Sequence, residues 1–403
     1  MPGDVWSELK LSDVLAEPIR NGYSPPESQA WTGVQMLGLG CLSAKGFNPV
    51  QLKNAPGSVS VMHPAILQDG DLLVSRANTR TLVGMVGVYR DVGTPCIYPD
   101  LMMRVRPSKR YLVEFLELVL RSPRTRRRVM AMAQGTSESM VKISGDVLRQ
   151  LPVPDFSVDE QRRIVEIINS FTELERGIEA SIAKFEALRS GLIEELAELE
   201  CGLFDAVLKQ GPQNGIYKPA NSYGLQGTPI VRIDSFSRGK SDFTRGLLRV
   251  AVSGDEVARY GLEVGDIVIN RVNTLDLVGK STSVRRLTEP TIFESNMMRC
   301  KLRRSAAEPL FTETWLGSSV VKRYFLQRAK SAISQASINA DDVRNCPFPK
   351  MGLLGQLAFL ERLNAVDDQR LAEVAELAKL RQLKQGLVDD LLSGRVAVSA
   401  VAA

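Results

Sequence analysis

The sequence predicts an α+β protein built twice: two similar globular domains, each followed by a long α-helix, the two helices packed as an antiparallel coiled coil. Three observations point there. Much of the chain repeats with a shift of 195 positions, two long stretches carry coiled-coil spacing, and charge separates along the same boundaries.

The repeat is plainest in "GDLLVSRANTRTLVG" (Gly70 to Gly84), which returns as "GDIVINRVNTLDLVG" (Gly265 to Gly279). The same shift carries "MMR" from Met102 to Met297 and turns "LPVP" at Leu151 into "CPFP" at Cys346. It also takes Gln161, Asn169, Lys184 and Leu188 to Gln356, Asn364, Lys379 and Leu383. A period this long is domain-sized and excludes a solenoid.

Residues 1–155 form the first domain. "DLLVS" and "LVGMVGVYR" read as strands, rich in branched residues and bounded by Gly or Asp; "YLVEFLELVLR" reads as a helix by its apolar spacing. Residues 156–203 form the first long helix, with Pro154 ahead of it and Asp159 as its expected cap. From Ile164 through Phe171, Ile178, Phe185 and Leu192 to Leu199, apolar residues fall three or four apart, a coiled-coil seam. The second domain, 204–350, has "DIVIN" as a strand and "ETWLGSSVVKRYFLQRA" as one helix. Residues 351–403 give the second long helix and a tail, with a less regular seam from Leu357 to Leu391. About 40 residues make a rod of roughly 60 Å. Neither seam is expected to face water alone, so the two should bury each other.

The formal net charge of +5 is unevenly held. The globular segments carry +4 and +8, the long helices and tail −6 and −1. Basic surface therefore sits on the globular domains, where a polyanion would dock. The five cysteines are scattered without a C-x-x-C, which argues against a zinc knuckle or disulfide framework and fits a reducing cytoplasm. No apolar run approaches a membrane span, and the opening "MPGDVWSELK" lacks the basic and apolar regions expected of a signal peptide. A single histidine, His63, leaves no Ser-His or Cys-His pair with a spare and no His cluster for a metal. There is no phosphate-binding G-x-x-x-x-G-K-[ST], no glycine-rich turn for S-adenosylmethionine and no N-P-P-[FY] tetrapeptide. The chain is expected to be no enzyme, with no cofactor or metal of its own.

Candidate DNA contacts fall in three groups. "RSPRTRRRV" supplies Arg124, Arg126, Arg127 and Arg128 as phosphate contacts, and Lys322 and Arg323 stand at the matching place in the second copy. The shared polar segments supply Arg76, Asn78, Thr79 and Arg80, then Arg271, Asn273 and Thr274; Arg and Asn read guanine and adenine through paired hydrogen bonds. An equally weighted reading makes the shared Arg-x-Asn-Thr a turn, its Asn left-handed. Residues common to units with different targets should be scaffold, so base readers should lie where the copies diverge. Those stretches offer Lys45 and Asn48 against Arg238 and Lys240, and Ser137 and Lys142 against Gln335.

Taken together, "QLPVPDFSVDEQRRIVEII", "NMMRCKL", "SQASINADDVRNCPFP" and the closing "KQGLVDDLLSGRVAV" resemble the specificity subunits of Type I restriction–modification systems. Gly355 stands where Glu160 opens the first helix, so the second helix's first turn is expected to differ. The resemblance implies two target-recognition domains, each followed by a spacer helix, and no catalysis in this chain. It implies double-stranded DNA as ligand, two methylation subunits as partners that use S-adenosylmethionine on adenine, and restriction subunits where these are present. The target would be bipartite and asymmetric, its half-sites about one DNA turn apart. The alternatives are a recognition subunit of a related phage-defence system without a nuclease, and a basic coiled-coil scaffold.

Overall fold

The computed structural model describes residues 7–137, 140–236, 242–331 and 335–398. The chain divides into two compact units: Met1–Ile178 with Glu376–Ala403, and Glu179–Ala375.

The first unit is centred on a four-stranded antiparallel sheet in the order Arg20–Asn21, Met102–Val105, Leu72–Ser75, Val86–Val88. Its inner strands are wholly buried, which explains their largely apolar sequence, and the buried Arg104 among them is paired with Asp71. Asp71 opens the strand: its carboxylate accepts from the Gln68 amide at 2.9 Å, and Gly70 supplies the positive φ of +87° that the turn requires. Two helices follow the sheet, α1 (Val113–Arg121) and α2 (Pro123–Met132). Ser122 separates them; its hydroxyl accepts from the Thr125 amide and Pro123 sits at the first turn, both favoured at a helix start. A three-stranded sheet (Gln134–Ser137, Met140–Lys142, Ala77–Asn78) lies beyond α2, and another joins Cys96–Ile97, Gln35–Leu37 and Leu52–Asn54. Helix α3 (Val158–Glu195) contributes its opening turns to this unit, where Ile164 and Ile168 join the same core as Phe115, Val388 and Leu391.

The second unit repeats the plan. Its sheet runs Leu208–Asn214, Met297–Leu302, Ile267–Asn270, Ser281–Ser283. Met298 stands opposite Ile269, as Met103 stands opposite Val74, so even the strand register carries the 195-residue shift. Gly265 again has positive φ, and Asp266 again accepts from an amide three residues back, Glu263, at 2.9 Å. Its helices include α4 (Pro309–Leu316), α5 (Ser319–Arg328) and α6 (Leu353–Ser393), the last shared with the first unit. The single helix expected over "ETWLGSSVVKRYFLQRA" is broken: Gly317 ends α4, and the Ser318 hydroxyl caps α5 by accepting from the Val321 amide.

Each unit holds its two long helical segments antiparallel. In the first, Thr172 and Glu175 meet Lys384 at 2.8 and 3.3 Å. In the second, Ser181 meets Glu373, Arg189 meets Asp367 and Glu195 meets Arg362, so numbers rise along α3 as they fall along α6. The seam is less covered than expected. Leu174 is 58 % exposed and Leu383 65 %, and Leu188, Leu371 and Val374 are also exposed. Two helices facing each other cover a narrower stripe than these sequences paint. The α3 cap differs too: Ser157, not Asp159, starts the helix, its hydroxyl accepting from the Glu160 amide while Glu160 accepts from the Ser157 amide. Gly355 cannot complete that box in α6.

Both helices are instead tied down by a repeated buried glutamine. Gln161 is 0 % exposed; its Oε1 accepts from the Leu112 amide at 2.7 Å, and its Nε2 donates to the carbonyls of Arg110 and Phe156 at 3.1 and 2.9 Å. Gln356, also 0 % exposed, accepts from the Glu308 amide at 2.8 Å and donates to Ala306 and Met351 at 2.9 and 2.8 Å. Each joins the first turn of a long helix to the start of the domain helix packed beside it.

Candidate nucleic-acid interface

The shared Arg-x-Asn-Thr segment is engaged mainly with its own backbone surroundings. Arg76 Nη1 lies 3.4 Å from the Asp100 carbonyl, and Arg271 Nη1 lies 3.4 Å from that of Ser295. Asn78 and Asn273 each accept from the next residue's amide, Thr79 and Thr274, at 2.8 Å. The carbonyls of those threonines accept from the amides three and four residues on. The turn is thus real, but its Asn is not left-handed: among the described residues only glycines have positive φ. Gly84 and Gly279 close the segment at φ +69° and +77°, where a side chain would collide with Val129 and Phe325.

In the first unit most candidates converge. The strand Ala77–Asn78 pairs with Met140–Lys142, placing Asn78 opposite Val141 and Lys142 opposite Ala77. Ser137 ends the outer strand of that sheet. Helix α2 leads directly into it, and two arginines lash the intervening loop to the helix. Arg80 Nη1 donates to the Met130 carbonyl at 3.2 Å, and Arg126 donates to the carbonyls of Thr81, at 2.9 Å, and Val83. Burial pushes the Arg126 guanidinium below its usual range. Arg124 pairs with Glu8 at 2.8 Å, while Arg127 and Arg128 are exposed. The four basic residues therefore do different things: one ties a loop, one pairs with an acid, two face solvent.

Lys45 and Asn48 belong to another element. Lys45 is at the exposed turn of the hairpin Leu42–Ser43/Gly46–Phe47, and Asn48 follows it, its amide donating to Cys41. The hairpin rests on the strand Val86–Val88, where a side chain at Gly87 would strike the Phe47 backbone.

In the second unit Val272–Asn273 pairs with Ala336–Ser337, which pairs with Lys330–Ser331. Exposed Gln335 directly precedes this strand, and half-buried Lys322 and exposed Arg323 lie on α5. Arg238 and Lys240 lie outside the described residues. Just before them, the Lys280 ammonium donates to the carbonyls of Ile233 and Phe236 at 3.1 and 2.7 Å and sits 4.6 Å from the Phe236 ring centre. Burial pushes it below its usual range. Sequence reasoning passed over Lys280, although its mismatch with Met85 at the end of a repeated segment was a usable signal. Among the described residues no group of three His, Cys, Asp or Glu side chains is placed to hold a metal, and no helix is long and apolar enough to cross a membrane.

No protein-family model matches the chain. Its fold matches over 98% of its length, and 99% of the other, a chain from the structure describing complex assembly and conformational transition of the type I R-M system, with TM-score 0.67 and 16% identity. The HsdS subunit from Thermoanaerobacter tengcongensis matches over 98% of both chains, with TM-score 0.51 and 16% identity. The chain has the fold of a Type I specificity subunit. In sequence it is similar to the type I restriction enzyme EcoKI specificity subunit of Escherichia coli K12, 27% identical over 195 residues, or 47% of this chain. The curated relatives it matches are each covered over 42% of their length.

Proposed function

We propose that this chain is a non-catalytic, sequence-specific DNA-binding subunit. It reads a bipartite, asymmetric target on double-stranded DNA and directs adenine methylation by two partner methylation subunits, and restriction where a nuclease subunit joins them. S-adenosylmethionine is then the partners' cofactor.

One observation carries this reading. Each unit builds the same platform from the shared segment, and next to it presents polar and basic side chains that differ between the copies. The shared residues hold backbone; exposed Arg128 and Arg323 match between the copies, whereas exposed Asn48 and Lys142 in one unit and exposed Gln335 in the other have no like residue at the matching position. Phosphate contacts position a protein on a duplex and base contacts specify, so a common frame with divergent exposed groups suits two readers of two sequences. The specificity-subunit fold and the match to the EcoKI subunit support the same assignment. Exposed leucines on α3 and α6, Leu174 and Leu188 among them, offer apolar surface to partner subunits.

The test is to co-express the chain with its methylation subunit and map methylated adenines, before and after exchanging residues 204–350 for a relative's matching domain. The expected motif has two unlike parts, one of which alone changes on exchange. A continuous or palindromic motif, or both parts changing together, overturns the proposal.

A further inference from the structure

We infer that Arg121, held by Glu117, is a positioning residue for base reading by the first unit, not a phosphate contact. It sets the turn at Ala44 and Lys45 against the domain; the inference rests on the DNA-reading function proposed above.

In sequence Arg121 heads the arginine-rich run and looks like its other members. In the fold it faces another way. Its Nη2 donates to the Ala44 carbonyl at 2.7 Å, at the tip of the Leu42–Phe47 hairpin, 77 residues away in the chain. Its Nη1 lies 3.4 Å from Glu117 Oε1, one helical turn back on α1. Glu117 is mostly buried, on a helix that packs against the strand Val86–Val88 beneath the hairpin. Gly46, at φ +100°, completes the arrangement: a Cβ there would lie 3.0 Å from Glu117 Oε1 and 3.3 Å from Arg121 Nη1. The hairpin is pinned elsewhere as well. Phe47 packs edge-on against Tyr89 at 5.3 Å, and the Asn48 amide donates to Cys41.

This hairpin lies in the stretch where the two copies diverge, the place for target-specific contacts. A base reader needs its supporting side chains held as firmly as itself. A guanidinium suits this task, since one nitrogen can hold a carbonyl while another holds a carboxylate. The second unit has Leu316 at the place matching Arg121, and there Lys280 holds the carbonyls of Ile233 and Phe236, just ahead of the residues that match the hairpin. Anchors that differ along with the segments they hold are what two independent readers require.

The experiment compares wild type, Arg121→Met and Glu117→Gln, each purified in its complex with the partner subunits. Base preferences are read by selection from a random-sequence duplex pool, salt dependence by titration, and backbone protection of residues 43–47 by hydrogen exchange. Met keeps the apolar stem, and Gln keeps the packing should the Arg121 variant fail to fold. The expected result is faster exchange at 43–47 and about tenfold weaker base discrimination at the first unit's half-site. The other half-site and the salt slope should not change. A slope shallower by about 0.9, with affinity lost equally on all sequences, would make Arg121 a phosphate contact and overturn the inference. Unchanged exchange and discrimination in both variants overturn it too. Wild type that selects no sequence at all takes down the proposed function with it, whereas a discriminating wild type with equally discriminating variants removes only the role of Arg121.

Discussion

Replacing Gln161 by Met tests whether the buried glutamine is what joins the first long helix to its domain. Met matches the side chain in length and removes every hydrogen bond. The wild-type amide makes three, to the Leu112 amide and to the carbonyls of Arg110 and Phe156, from a fully buried position. An unpaired buried backbone group costs about 1–3 kcal/mol. Three would sum to about 3–9 kcal/mol, and partial relaxation at the start of α3 brings the expected loss to about 4 kcal/mol. That is a large share of the roughly 5–15 kcal/mol that holds a typical domain. Hydrogen exchange reads the effect locally: the Leu112 amide should lose protection by roughly a thousandfold, at 1.4 kcal/mol per factor of ten. Gln161→Glu sharpens the test. It keeps an acceptor for the Leu112 amide but aims a carboxylate oxygen at two carbonyls, so it should be no better than Met. Gln356→Met should do the same to the Glu308 amide in the second unit. A loss under about 1 kcal/mol, or an unaltered Leu112 amide, would refute the reasoning and mean that apolar packing alone holds the helix.

Two further outcomes follow from the geometry. Arg127→Ala with Arg128→Ala should weaken binding about equally for all DNA sequences and flatten the salt slope by roughly 2. A change confined to one preferred sequence, seen in the same titrations, would make these two residues base readers. Asp266 gives a pH test. Its burial pushes the carboxyl up, outweighing the pull of the Glu263 amide, Lys301 and Arg299. The folded pKa therefore lies above the unfolded one, and the stabilisation is full below the unfolded value of ~3.9 and lost as pH rises through the folded one. Asp266→Asn, which still offers an oxygen to the Glu263 amide, should lack this loss. In denaturant titrations of the second unit it should gain on wild type as pH rises above ~4; a difference independent of pH would contradict the burial argument.

The sequence by itself determined the duplication, the strands and the long helices. These are written in local pattern: a Gly-Asp turn before a buried apolar strand, three-and-four apolar spacing, a proline pair ahead of each helix. Their register survives in the fold because a like local pattern meets a like partner, as Met103 opposite Val74 and Met298 opposite Ile269 show. The Gly317–Ser318 break was legible too, as a helix stop followed by a cap, but apolar spacing on either side of it masked the signal. Tertiary structure decided what each cation does. Arg121, Arg126, Arg127 and Arg128 are alike in sequence. Arg126 donates to carbonyls 43 and 45 residues away, Arg121 to one 77 residues away, and the other two face solvent. A guanidinium takes whatever acceptor the fold brings within about 3 Å, and that neighbour belongs to no local pattern. The exposure of Leu174 and Leu383 has a similar cause: apolar spacing reveals which face of a helix is greasy, but the width of the surface laid against it depends on where the rest of the chain packs.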